Sequence, residues 1–242
     1  MTTIVTGHYG SGKTEFCVNL AMAKASRHPV LDAESPKLLH VSEGVPDQAP
    51  DDVVGIADLD VINPFFRSRE LEEKLKPLGI DIMGSALGNH ITQDVPAISF
   101  AFLSKIRAGQ NIILDLAGGE NGLKLLASCY ADIRDYNFFC VLNMYRPETN
   151  SPGKMIDFCK KINRFSRLEI TGLVNNGNLL GQTEPVHVLE SQKAVQEVAS
   201  ELNLPIAYTM VQENIYSCIV DKIVSEKVLT FKTPQMRKNW QG

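Results

Sequence analysis

Eight consecutive residues, Gly7 to Thr14 (GHYGSGKT), carry the densest chemical signal in the sequence, because they match G-x-x-x-x-G-K-[ST] in full. Glycines let backbone N–H groups curl around phosphate oxygens. Lys13 can then reach a β- or γ-phosphate, and the Thr14 hydroxyl is a ligand for Mg²⁺. The preceding run TIVTG (2–6) is β-branched and ends in glycine, and the segment from Lys13 to about Ser26 sets Phe16, Leu20 and Ala23 near one helical face. The motif therefore sits where its chemistry needs it, between a strand and a helix N-terminus.

Two aspartate-ended apolar runs add to this signal. In IILDLAGG, Asp115 closes a run that would face the crevice at the carboxyl edge of a sheet, where it can hold Mg²⁺ through water. Gly118 and Gly119 behind it allow backbone to approach a γ-phosphate. In GIADLDVINP, Asp58 and Asp60 are two apart and share a face while the chain stays extended. Either can orient an attacking water or the hydration shell of a metal. Aspartates also cap helices and start turns, which is the plainer role open to all three.

The elements that must position these groups follow from hydrophobic patterning. Strands are expected at 53–60, 79–85, 111–119, 137–144, 168–176 and 205–211, after the first at 2–6. Helices are expected at about 69–78, 95–108, 122–131, 152–165 and 185–202. Between Arg27 and Asp52 the pattern breaks on Pro29, Pro36, Pro46 and Pro50, which reads as an exposed excursion or lid. Strands alternating with helices make an α/β fold, a mostly parallel sheet with helices on both faces. The order of the motifs places residues 1–242 in one nucleotide-binding domain.

Lys plus Arg number 24 and Asp plus Glu 28, giving a net charge of −4, which argues against a broadly basic nucleic-acid binder. Apolar residues make up 44% of the chain, an ordinary globular share. No apolar run approaches a membrane span and the first residues lack a signal-peptide pattern, so a cytoplasmic protein is expected. Five scattered cysteines, Cys17, Cys129, Cys140, Cys159 and Cys218, form no CxxC pair, and most of them read as small buried apolar residues.

The GHYGSGKT loop, the ADLDVINPFFRSRE stretch, the LDLAGG strand end and GLVNN together resemble the MinD/ParA/Mrp-like branch of the SIMIBI P-loop ATPases. Their class also holds nitrogenase iron protein, dethiobiotin synthetase and cobyrinate diamide synthetase. Within it the chain is similar to an uncharacterised bacterial CobQ/CobB/MinD/ParA nucleotide-binding subfamily. The resemblance implies a three-layer P-loop NTPase fold, ATP and Mg²⁺. It makes GHYGSGKT the Walker A loop, Asp115 the Walker B position, Asp58 and Asp60 part of switch I, and Gly118 part of the switch II turn.

By the same resemblance, the asparagine of a late G-x-x-x-N pattern reads adenine; counting from Gly172 gives Asn176, with Asn175 beside it as the other choice. An amide suits this task because it offers a donor and an acceptor together. His8 stands where the branch carries a signature lysine that crosses a dimer interface. Arg67 and Arg69 are candidates for that missing positive charge, or else pair with Glu70, Glu72 or Glu73 on a solvated helix. Arg146, after another strand end, is a weaker candidate.

The expected nucleotide-binding set is thus Gly7, Gly10, Ser11, Gly12, Lys13, Thr14, Glu15, Gly118, Asn175 and Asn176. Thr14, Asp58 and Asp115 are the metal set, and Lys13, Asp58 and Asp60 are the catalytic set. The function expected is a slow ATPase switch read by a protein partner or a second copy. A small-molecule ligase or kinase of the dethiobiotin synthetase or cobyrinate synthetase type is the alternative. The C-terminal LTFKTPQMRKNWQG is interrupted by Pro234 and sparse in apolar residues, so a membrane-targeting helix is not expected there.

Overall fold

A computed structural model describes residues 1–25, 55–59, 72–83, 101–232 and 234–235. The excursion expected at 27–52 lies outside them, as do Asp60, Arg67, Arg69 and the expected starts of the helices at 69 and 95.

The strands are β1 (Thr2–Gly7), β2 (Gly55–Leu59), β3 (Asp81–Met83), β4 (Ile112–Leu116), β5 (Tyr136–Leu142), β6 (Gly172–Asn175), β7 (Ile206–Gln212) and β8 (Lys227–Phe231). They form one sheet in the order β3-β2-β4-β1-β5-β6-β7-β8, and every pairing is parallel. The helices are α1 (Lys13–Ala25), α2 (Glu72–Leu75), α3 (Ala101–Arg107), α4 (Glu120–Cys129), α5 (Pro152–Ser166), α6 (Pro185–Leu202) and α7 (Glu213–Ile219).

A parallel sheet needs cover on both faces, and alternate residues of the central strands supply it. Ile4, Ile112, Leu114, Phe138 and Cys140 pack with α3, α4, α5 and α6 on one side. Val5, Ile56, Ile113, Phe139 and Val141 pack with α1 on the other. There the Phe16 ring lies 6.1 Å from Phe139 and 5.3 Å from Tyr208, edge to face in both cases. Such contacts add about 0.5–1.5 kcal/mol each beyond burial and fix the helix that follows the GHYGSGKT loop.

Several boundaries differ from the pattern-based expectation for identifiable reasons. The run 168–176 enters the sheet only at Gly172, because Arg167 turns left-handed at φ 61° and Ile170 N–H donates to the Asn163 side chain. The run 137–144 leaves it after Leu142, where Asn143 Oδ1 accepts from Tyr145 N–H and opens a turn. The helix at 185–202 has its expected limits, with Pro185 in its first turn and left-handed Asn203 closing it. The α7 and β8 elements were not expected from the patterning.

Candidate nucleotide-binding site

The sheet order puts β1 between β4 and β5, so the chain leaves β1 in one direction and returns to its other side only with β5. Such a reversal opens a crevice at the carboxyl ends of the strands, and GHYGSGKT occupies it. At Gly7 an added Cβ would come within 2.5 Å of Ser11 Oγ and 2.6 Å of the Val141 carbonyl oxygen. Gly12 has φ +92°, and a Cβ there would lie 2.2 Å from Asn176 Nδ2. Phe16 N–H donates to the Gly12 carbonyl at 2.9 Å, which begins α1 directly behind the loop.

Lys13 is 7% exposed and donates from Nζ to the His8 carbonyl at 3.2 Å. Its ammonium also lies against the LDLAGG turn, since a Cβ on Gly118 would be 3.3 Å from Nζ and 3.2 Å from Tyr9 N. Loop and turn therefore approach so closely that a side chain at Gly118 would crowd both Tyr9 and Lys13. Gly119 has φ +85° and caps the N-terminus of α4.

Asp58 and Asp115 are partners in the β2–β4 register, 4% and 1% exposed, on the face covered by α1. Between them and Lys13 lies Cys17, one helical turn beyond Lys13 on α1. Burial pushes its thiol well up; the negative charge of Asp115 and a hydrogen bond to that carboxylate push it further, and Lys13 opposes this. The thiol therefore stays neutral beside Asp115. Helix periodicity from Lys13 was the signal that could have singled out Cys17.

Thr14, Asp58 and Asp115 offer only oxygen ligands, the chemistry that Mg²⁺ takes. No cluster of three or more His, Cys, Asp or Glu able to hold a metal occurs among the described residues.

Asn176 closes the loop from the side: its Nδ2 donates to the Ser11 carbonyl at 2.7 Å, while Oδ1 is buried with no hydrogen-bond partner among the described residues. Asn175 is fully buried and accepts from Ser191 Oγ at 2.7 Å, so its carbonyl oxygen is committed to α6. Glu15 Oε1 accepts from Asn19 Nδ2 and from the backbone N–H of Gln235, both at 2.8 Å. Its carboxylate ties the segment after β8 to the first turn of α1.

His8 packs edge to face on Phe158 of α5, centroids 5.7 Å apart, with Nδ1 3.5 Å from Glu148 Oε2. Arg146 donates from Nε to the Gly10 carbonyl at 2.9 Å and lies across the face of that glycine. Of the three arginines weighed from sequence, this is the one among the described residues, and it touches the loop. No described helix is long and apolar enough to cross a membrane.

No protein-family model matches the chain, and no curated protein does. Solved structures do. The cell division protein FtsY of Thermotoga maritima aligns with TM-score 0.51 and 16% identity over 89% of this chain and 63% of its own. FtsY of Mycoplasma mycoides aligns at TM-score 0.53 and 14% identity over 88% and 61%, and chloroplast FtsY of Physcomitrella patens at 0.50 and 17% over 88% and 59%. The chain spans about three-fifths of the length of these structures. Its eight-stranded parallel sheet with helices on both faces is an α/β fold that matches these structures.

Proposed function

We propose that this chain is a Mg²⁺-dependent ATP-binding switch that hydrolyses ATP slowly and is read by a protein partner or a second copy of itself. One observation carries the reading: Lys13 Nζ, within reach of a bound phosphate, lies against Gly118 on the turn after Asp115. A terminal phosphate placed at that contact must displace or order the turn, so its presence and loss become a conformational signal.

The residues divide the work of hydrolysis. Backbone N–H groups of Gly10 to Thr14 and the N-terminus of α1 hold the phosphate oxygens. Lys13 neutralises charge as the bond from Pγ to the β–γ bridging oxygen breaks and that oxygen leaves with the electron pair on ADP. Asp58, or Asp60, orients the water whose oxygen forms the new bond to Pγ. Thr14, Asp58 and Asp115 are the residues that would hold Mg²⁺, which would supply charge neutralisation when bound.

The likeness to the FtsY structures is one of fold and does not fix the base. Asn176 favours adenine. Its buried Oδ1 accepts hydrogen bonds, and adenine presents an amino donor where guanine presents the O6 acceptor. The motif resemblance to the MinD/ParA-like branch supports reading Asp115 as the Walker B carboxylate.

The test is calorimetric titration with Mg·ATP and Mg·GTP, followed by turnover, for the wild type and Lys13→Ala. Expected are Mg²⁺-dependent ATP binding, slow phosphate release, and loss of both in the variant. ATP consumed only after a small carboxylate or alcohol is added, with that compound phosphorylated or ligated, would instead make the protein a ligase or kinase.

A further inference from the structure

The turn between β5 and α5 is built to hold one arginine still. Asn143, 1% exposed, anchors it: Oδ1 accepts from Tyr145 N–H at 2.9 Å and Nδ2 donates to the Asn178 carbonyl at 3.0 Å. The Asn143 carbonyl accepts from Arg146 N–H at 3.3 Å and from Thr149 Oγ1 at 2.7 Å. The Arg146 carbonyl in turn accepts from Thr149 N–H at 3.0 Å. Both backbone polar groups of Arg146 are thus bonded within the turn, and Nε is bonded to Gly10 of the phosphate loop.

The charge on this side chain has no local use. No carboxylate among the described residues forms an ion pair with Arg146. Glu148, two residues on, stands by His8 instead. The guanidinium is half-buried over a neutral glycine, on the same loop as the Lys13 ammonium and the N-terminus of α1. Gathering positive charge on one loop costs energy unless an anion completes it. Nε needs only one of the five guanidinium donors to brace Gly10, and the terminal nitrogens remain for that anion.

We propose that Arg146 is a phosphate-binding catalytic residue supplied by the chain itself, whose terminal guanidinium nitrogens contact the γ-phosphate of the bound nucleoside triphosphate. This rests on the nucleotide-binding reading above. A rigid turn places the cation before substrate arrives, so little ordering cost is left for the reaction.

The experiment measures binding of Mg·ADP and of Mg·AMP-PNP, a non-hydrolysable triphosphate, to wild type, Arg146→Lys and Arg146→Gln, with ATP turnover alongside. Gln keeps an amide donor for the Gly10 carbonyl without the charge, and Lys keeps the charge. Expected for Arg146→Gln is a loss of AMP-PNP affinity of about tenfold to a hundredfold, with ADP affinity changed by less than about threefold. Turnover should fall by about a hundredfold. Arg146→Lys should retain most of the triphosphate preference. Equal weakening of both ligands would leave Arg146 a loop brace and overturn the proposal, as would unchanged affinities in all variants. If the wild type binds neither ligand, the nucleotide reading itself falls and this proposal with it. Far-ultraviolet dichroism and thermal melts of both variants establish that the folded protein is being compared.

Discussion

Asp58 and Asp115 stand directly opposite each other on neighbouring parallel strands, both buried and both facing α1. Side by side, two carboxylates repel, and burial strengthens the repulsion. Lys13 and the Cys17 thiol lie close by on α1. This pair is tolerable where a cation is the intended third member.

Replacing one carboxylate should therefore separate stability from ligand response. Asp115→Asn is expected to raise the metal-free melting midpoint by about 2–4 °C, the effect of roughly 1 kcal/mol in a chain of this size. It should at the same time abolish most of the added stabilisation seen with Mg²⁺ and nucleotide. Differential scanning fluorimetry with and without both ligands reads the two effects. A lower metal-free midpoint would mean that attraction to Lys13 outweighs repulsion from Asp58.

Gly12→Ala should damage the loop through two routes that can be told apart. The backbone at φ +92° strains any side chain, at a cost of about 1–3 kcal/mol, and the new methyl collides with Asn176. Adding Asn176→Ala should recover part of the loss and none of the backbone strain. A double-mutant cycle by urea unfolding measures the recovered part as a coupling energy. Strict additivity would show that the two residues do not meet.

Asn176 has two duties, and two ligands distinguish them. Its Nδ2 braces Ser11, which would serve any phosphate, while the proposed adenine contact would serve only the nucleotide. Asn176→Ala is expected to weaken ATP by about tenfold or more and inorganic pyrophosphate by less than about threefold. Equal losses in competition binding would leave only the brace.

Alkaline pH should destabilise the fold by way of its thiols. Cys17 stays protonated in the folded chain at a pH where the unfolded chain ionises, and burial likewise pushes Cys129 up to about 11. Their contribution is complete below the ordinary thiol value near 8.5, and is lost as pH rises from there toward the folded values. Urea unfolding from pH 7 to 10 should show falling stability, with a shallower decline in Cys17→Ala. An identical slope in the variant would assign the decline to other groups.

Local signals were legible and distant meetings were not. The turn between β1 and α1 could be read because its signal is compressed into Gly7 to Thr14, and α6 because Pro185 and Asn203 punctuate both ends. Asp115 announced itself by ending an apolar run. The contact of Arg146 with Gly10 joins positions 136 apart and leaves no periodic trace. Cys17 looked like any small buried residue, and only the β2–β4 register shows which carboxylates lie near it. The β8 strand was missed because KVLTF is short and half exposed, with a pattern that becomes meaningful only once β7 is beside it.

The central place of β1 also governs when a ligand can take part in folding. Its neighbours are β4 and β5, so Thr2 pairs with Ile112 on one side and Tyr136 on the other. Closing loops of that length is slow, because chain entropy is lost before any contact repays it. During synthesis the motif at residues 7–14 emerges well before β4 and β5, the strands that wall it on either side. Nucleotide can then stabilise the finished sheet but cannot template its early stages, and refolding rates should be insensitive to nucleotide even where unfolding rates are slowed.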